Sequence, residues 1–421
     1  MGTIVGTVES VATSTIDPAT RIARAAVFVV FALNGFLLAM WVVHIPAVTD
    51  HTGVSKSTLG MFILLMAGAG IVGMRIAGPL ADRFGSRTLV GVAAALASVA
   101  VLGPGLATGP VTLAIALACF GFGNGALDVS MNTQAVHVER GYGRPIMSAF
   151  HALFSGGGLL GSLIGAATLR AGWDARPTLT LAAIVGLIVT AALVPQLLRD
   201  TRSESRIPEP SPAPPDGGSP TEPIDSPGAQ ARQLPSRADQ RRKVLALAAI
   251  AFGVLLAEGV ANDWSTLQMR EHLGVDEATA ALAYSAFSIT MTAGRFTADR
   301  ISGAFGRAAL VRNGSALAAL GIGLIMVSDW VPLSLLGWAI AGLGLSGIVP
   351  QIFTAAGNLG TDTAATDMSR VFSLGYFGLL AGPAVIGWLT ALMPLTAAMA
   401  VPLIAALLCC RYAGVVSPQR N

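Results

Sequence analysis

Two carboxylates, Asp128 and Glu258, stand inside apolar stretches of this 421-residue chain. An ionisable group at membrane depth is costly and ordinarily faces a cavity. Asn124, Asp128 and Asn132 recur every four residues, which places amide, acid and amide on one face of a helix. Three aligned polar groups are harder to explain as packing than one. Glu258 is followed by Gly259, Asn262, Asp263 and Trp264, and a glycine beside the acid permits local unwinding that would expose backbone groups to a ligand. The chemistry these acids suit is reversible proton carriage, because a carboxyl moved from water into a drier cavity has its charged form disfavoured. The alternative for Glu258 is a buried pair with a base, but Arg75 and Arg295 are read as too near the inner side to serve it easily. Asp263 is read equally as a solvated helix-end charge, and Trp264 as an interfacial belt residue. Further candidates for touching a small molecule are Asn34, His151, Tyr284, Gln351 and Tyr376. His151 is suited to a proton relay or to an interhelical hydrogen bond, and the tyrosines to stacking on a sugar or to filling space.

The elements that must position these residues are membrane-spanning helices. Hydrophobic residues make up 53% of the chain and charged ones 12%, with 49 glycines. Windows of about 20 apolar residues predict helices at Ala25 to Ile45, Leu59 to Leu80, Thr88 to Leu106, Pro110 to Asn132, Ile146 to Leu169 and Thr178 to Leu198. A second six follow at Val244 to Trp264, Thr279 to Ala298, Ala308 to Val327, Val331 to Ala355, Val371 to Leu392 and Leu395 to Cys410. The halves repeat at a distance of about 221 residues: His51, Gly53, Val54 and Thr58 answer to His272, Gly274, Val275 and Thr279. The expected organisation is a tail at 1–20, a six-helix bundle at 21–198, a linker at 199–243, a second bundle at 244–411 and a tail at 412–421. The linker carries nine prolines and is too polar to bury a core. The first apolar run is longer than a signal-peptide core and is expected to remain as a spanning helix.

Charge sets the orientation. Lys56, Arg170, Arg176 and Arg270 are the only basic residues on the predicted outer loops, and the other 22 of 26 fall at inner loops, inner helix ends or tails. Both termini and the linker are therefore expected in the cytoplasm. A net charge of +3 makes no case for nucleic acid, and three cysteines, Cys119, Cys409 and Cys410, offer neither a disulfide framework nor zinc spacing. No P-loop, metal cluster or nucleophile motif is present, so no enzyme activity and no cofactor are expected beyond an ion gradient.

After the second helix come Gly78, Asp82, Arg83, Gly85 and Arg87. This order resembles the signature between helices two and three of the major facilitator superfamily, departing only at Thr88, where a second base is common. The resemblance implies an all-α protein of twelve transmembrane helices in two pseudo-symmetric bundles. It also implies that Asp82 closes the cytoplasmic side by leaning on the amino end of a helix in the opposite half, near Arg370. A degraded copy, Arg295, Asp299, Arg300, Phe305, Gly306 and Arg307, appears in the second half, with Asp299 read either as a weaker latch or as a topology charge. Glycines at 157, 161 and 165, and at 378, 382 and 387 with Pro383, form close-packing ladders that in this family flank the moving interface.

The stretch Gly125, Leu127, Asp128, Met131, Asn132 is similar to the fourth helix of the fucose and proton symporter branch, where a helix-four carboxylate joins proton coupling; Asn34 departs from it. Asp128 to Ala135, Arg144 to Ser155 and Glu258 to Trp264 resemble bacterial facilitator proteins still more. The expectation is a monomeric transporter of the bacterial inner membrane, moving a small polar solute by alternating access with proton coupling through Asp128 and Glu258. Two rivals are an exporter of amphiphilic compounds by proton antiport and, with less support, a non-transporting sensor.

Overall fold

The structure is a computed structural model that describes residues 16–199, 237–359 and 363–417. Among these residues there are helices and no strands. The first half comprises α1 (Pro18–Thr52), α2 (Lys56–Phe84), α3 (Ser86–Leu106), α4 (Pro110–Tyr142), α5 (Met147–Arg170) and α6 (Ala175–Gln196). The second comprises α7 (Arg237–Leu273), α8 (Glu277–Phe305), α9 (Arg307–Val327), α10 (Val331–Gly357), α11 (Ala364–Leu389) and α12 (Leu395–Val416). Eleven of these meet the length and hydropathy of a membrane span. The twelfth, α8, has the length at 29 residues but carries Arg295, Asp299 and Arg300, which lower its hydropathy.

Three spans are interrupted at the residue four before a proline. A proline lacks the N–H that would bond the carbonyl four residues back, and its ring crowds that carbonyl. Accordingly the first segment of α3 ends at Ala100 before Pro104, α10 breaks at Ser346 and Gly347 before Pro350, and α12 breaks after Ala398 before Pro402. The uninterrupted third, tenth and twelfth helices expected from the sequence are corrected in this way.

Other boundaries move outward. α4 runs ten residues past Asn132 to Tyr142 and carries Glu139 and Arg140 on its last turns. α7 continues to Leu273, so Asn262 and Asp263 lie well inside a helix and Asp263 is not a helix-end charge. The same helix begins at Arg237, within the expected linker, because Arg237 to Lys243 contains no proline or glycine; Gln240 there donates to Asp367 at 2.6 Å. The rest of the linker, 200–236, lies outside the described residues, as does most of the amino-terminal tail. At the other end α12 and the turn Ala413–Val416 belong to the bundle, with Ala413 and Val416 buried.

The repeat is visible in the backbone. Gly53 and Gly274 take φ of 66° and 63°, and Gly85 and Gly306 both take 86°, a left-handed region open to glycine at little cost. Each pair ends equivalent helices, α1 with α7 and α2 with α8. Within each half the glycine ladders seat one helix on another. A methyl group at Gly157 would overlap the Ala32 carbonyl and one at Gly161 the Phe36 carbonyl, so α5 lies against α1 at backbone distance. Gly378 and Gly382 place α11 on α7 in the same way, at the carbonyls of Phe252 and Leu256. With no hydrophobic force between helices in lipid, such approach supplies the van der Waals contact.

Candidate functional site

The halves meet along α2 with α11, α5 with α8, and the ends of α4 and α10. At one face they are locked. Asp82, on the last turn of α2, accepts the backbone N–H groups of Ala365 and Thr366 at 2.9 Å each, and the Thr366 hydroxyl as well. These donors belong to the first turn of α11, which has no intrahelical acceptors for them, and the helix dipole favours a negative charge there. The contact falls a turn earlier than Arg370, which pairs instead with Asp367 at 2.9 Å. Gly78, one turn before the acid, permits the approach: a Cβ there would crowd Ser369 and Ala365.

Asp299 does the same in the opposite direction. Its two carboxylate oxygens accept the N–H groups of Ser148 and Ala149, at 2.9 and 2.8 Å, on the first turn of α5. This contact has the geometry that the latch reading of Asp299 calls for. The preceding two donors of the same helix start, Ile146 and Met147, go to Glu139 Oε2 at 2.9 Å each, and Glu139 Oε1 meets Arg307 of the other half at 3.3 Å. Arg140 completes the seam by donating to Asn358 Oδ1 at 2.5 Å and to the Gly357 carbonyl. Glu139, Arg140 and Asn358 were not singled out in the sequence, since α4 was expected to end before the first two, and Arg307 entered only as the last residue of the degraded motif copy. Gly85, Arg83 and Arg87 line a recess of about 510 Å³ beside Asp82 on this face. Arg300 has a position on α8 next to Asp299 and no ion pair with it among the described residues.

At mid-depth the polar residues converge on the boundary. Asn132 Nδ2 donates to Asp128 Oδ1 at 3.2 Å and to the Asp128 carbonyl at 2.9 Å, and His151 Nε2 lies 3.2 Å from Asn132 Oδ1. With the amide nitrogen turned to Asp128, its oxygen is left to accept, so Nε2 of His151 carries the hydrogen. Tyr376 of α11 stands close enough to Asp128 to interact with its carboxyl across the boundary. Asp128 Oδ2 is buried without a hydrogen-bond partner. Phe31 and Phe353, one from each half, flank the His151 ring at centroid distances of 5.3 and 5.9 Å.

Glu258 has a partner that the sequence reading discounted. Arg295 Nη2 lies 3.4 Å from Glu258 Oε1, and Nη1 donates to Ser155 Oγ of the opposite half at 3.0 Å. The distance was misjudged because the side chain of arginine spans more than a helical turn, and α8 packs directly on α7. Arg295 and Ser155 thus join the site, and both were missed as site residues.

Several candidates do not join it. Asn34 is buried inside the first half, with Nδ2 3.8 Å from Met131 Sδ. Gln351 accepts from Ser302 at 2.8 Å, buried within the second half. Trp264 donates to the Pro383 carbonyl at 3.2 Å, tying α7 to α11 where a belt residue was expected. Asn124 is half-buried on the helix face of Asp128, while Asn262, Asp263 and Tyr284 are exposed toward the face opposite the latches. Every described hydrogen bond and ion pair between the halves lies at mid-depth or at the latched face.

Comparison with known proteins agrees with this architecture. The model of the Major Facilitator Superfamily matches residues 27–267. An uncharacterised MFS-type transporter of Yersinia pestis is 31% identical over 368 residues, 87% of this chain and 89% of the relative. Among solved structures, FucP, an MFS transporter in the outward conformation, superposes with a TM-score of 0.73 at 14% identity, covering 95% of this chain and all of its own. A second structure of FucP, the Escherichia coli fucose:proton symporter, gives 0.70 at 12% identity, with coverage of 95% and 100%. At such identities these likenesses show the fold. The chain belongs to the Major Facilitator Superfamily, a family of membrane transporters rather than enzymes.

Proposed function

We propose that the protein is a proton-coupled secondary transporter that moves a small polar solute through the inner membrane of a bacterium, with the latched face in the cytoplasm. The observation that carries this reading is the chain Asp128, Asn132, His151 at the boundary of the halves. It is completed by Tyr376, Arg295 and Glu258 from the opposite half. An acid with one buried, unpartnered oxygen can hold a proton there, with an amide and an imidazole next in line. Rocking of the two bundles about this site would expose it to either face in turn.

The latches support the same reading. Asp82 and Asp299 hold one face shut through charge and helix-dipole contacts, each worth on the order of 1 kcal/mol. Contacts of that size are strong enough to bias a conformational equilibrium and weak enough to be broken in each cycle. The polar lining favours hydrophilic cargo over an amphiphilic one, which an apolar wall would suit better. Proton coupling is tested in reconstituted vesicles: a solute whose cellular pool changes on deletion should accumulate under an imposed pH gradient. Equal uptake with and without the gradient would remove the coupling.

A further inference from the structure

We propose that the cargo carries a carboxylate, as a small hydroxylated organic acid does, and that Arg295 is the residue that recognises it; this rests on the transport reading and names the chemical class of its cargo. The guanidinium offers five N–H donors in a rigid fork. The structure uses that fork poorly. Nη1 donates to Ser155 Oγ at 3.0 Å, Nη2 approaches Glu258 Oε1 and Met291 Sδ at 3.4 Å each, and Nε is buried with no partner. A well-formed guanidinium–carboxylate pair has two parallel bonds of roughly 2.7–2.9 Å. The Glu258 contact is single and long, so it leaves the cation under-satisfied and open to exchange.

The surroundings fit an oxyanion that also bears hydroxyl groups. Arg295 and Glu258 keep 18% and 15% of their side chains accessible, so a solute entering between the halves can reach both. Ser155, Asn132, His151 and Tyr376 supply neutral donors and acceptors. Arg75, which occupies the place in the first repeat near that of Arg295, shares the face of α2 that carries Gly78 and Asp82 toward α11 and is exposed. Neither of these two cations is held in a tight ion pair among the described residues.

Proton and cargo are linked by the same geometry. Two carboxylates at close range on one guanidinium cannot both stay ionised cheaply. A bound organic acid and a proton on Glu258 therefore go together. The titratable and charged groups facing Glu258 from the packed helices are Arg295 of α8 and Tyr376 of α11; across the boundary Asp128 of α4 faces Tyr376 and His151 of α5 faces Arg295.

The test is a binding measurement without any gradient. Purified protein in detergent is titrated with D-gluconate, D-glucuronate and D-galacturonate, and with D-glucose, D-galactose and D-glucosamine, following thermal stabilisation. At least one acid should stabilise the protein where its neutral and amino counterparts do not. Its affinity should fall about tenfold from pH 5 to pH 8, a range in which the sugar acid itself, with a carboxyl pKa of roughly 3.5, stays ionised. Arg295→Gln should weaken that acid at least about tenfold, and Glu258→Gln should bind it with the pH dependence gone. The second variant keeps the test decisive if the first misfolds. Stabilisation by neutral or amino sugars alone, no stabilisation by any of the acids, or loss of the acid in Glu258→Gln would overturn the proposal. Acid binding that persists in a protein showing no gradient-driven flux would sink the coupling and leave the cargo class standing.

Discussion

At the residue scale the account rests on two acids in different settings. Asp128 has an amide and a tyrosine beside it and no cation in contact, whereas Glu258 faces Arg295 at 3.4 Å. If both carry protons, Asp128→Asn and Glu258→Gln should each abolish accumulation driven by a pH gradient, because neither amide releases a proton. At least one of them should retain exchange of cargo across the membrane, since an amide keeps much of the hydrogen-bonding shape of the protonated acid. Counterflow in vesicles at matched expression measures both; wild-type gradient-driven accumulation in both variants would show that neither acid couples. The four-residue spacing of Asn124, Asp128 and Asn132 made one side of this site legible, because helical periodicity fixes which residues share a face. Arg295 was not, because whether a long side chain reaches an acid on another helix depends on packing that no single stretch of sequence encodes. Asn34 and Gln351 failed for the converse reason: a buried amide in a membrane also finds partners within its own bundle.

At the element scale the two latches are the same device built twice with the acid displaced by one turn. On the 221-residue repeat, Asp299 corresponds to Gly78, and Asp82 to Gly303. Each acid seals the first turn of a helix in the other half. Asp82→Asn and Asp299→Asn should each shift the equilibrium away from the closed latched face by about tenfold, the equivalent of roughly 1.4 kcal/mol. Cysteine accessibility on that face is the measurement. Unchanged accessibility with normal flux would reduce the acids to topology charges. The glycine ladders give a second test. Gly157→Val drives a side chain into the Ala32 backbone and should lower the thermal midpoint of the purified protein, at a cost of about 1–3 kcal/mol, whereas Gly156→Ala, with nothing within 4 Å, should leave it unchanged. The motif Gly78 to Arg87 announced the first latch in the sequence. The second was ambiguous there because the acid's spacing in α8 differs, and Glu139 was hidden because the polar end of α4 does not read as membrane span.

At the scale of the whole molecule, twelve helices and an internal repeat were legible, since the length of an apolar run and a fixed period survive without any knowledge of packing. The proline breaks in α3, α10 and α12 followed from local chemistry but fell inside runs that are apolar throughout. Orientation is the expectation that remains to be measured. In a protein with Cys119, Cys409 and Cys410 replaced by serine, a cysteine at Thr108 should react with an impermeant reagent in intact cells and one at Arg199 only with a permeant one; the reverse pattern would invert the topology.

The central claim is that the halves close one face while opening the other. It is tested most directly by spin-label distances in the purified protein across each face: Thr88 to Arg312 on the latched face, and Thr108 to Asp329 on the opposite one. The account predicts that the Asp82→Asn, Asp299→Asn double variant lengthens the first distance and shortens the second together, as rocking about the mid-depth site requires. Two distances that stay fixed, or that lengthen together, would contradict it.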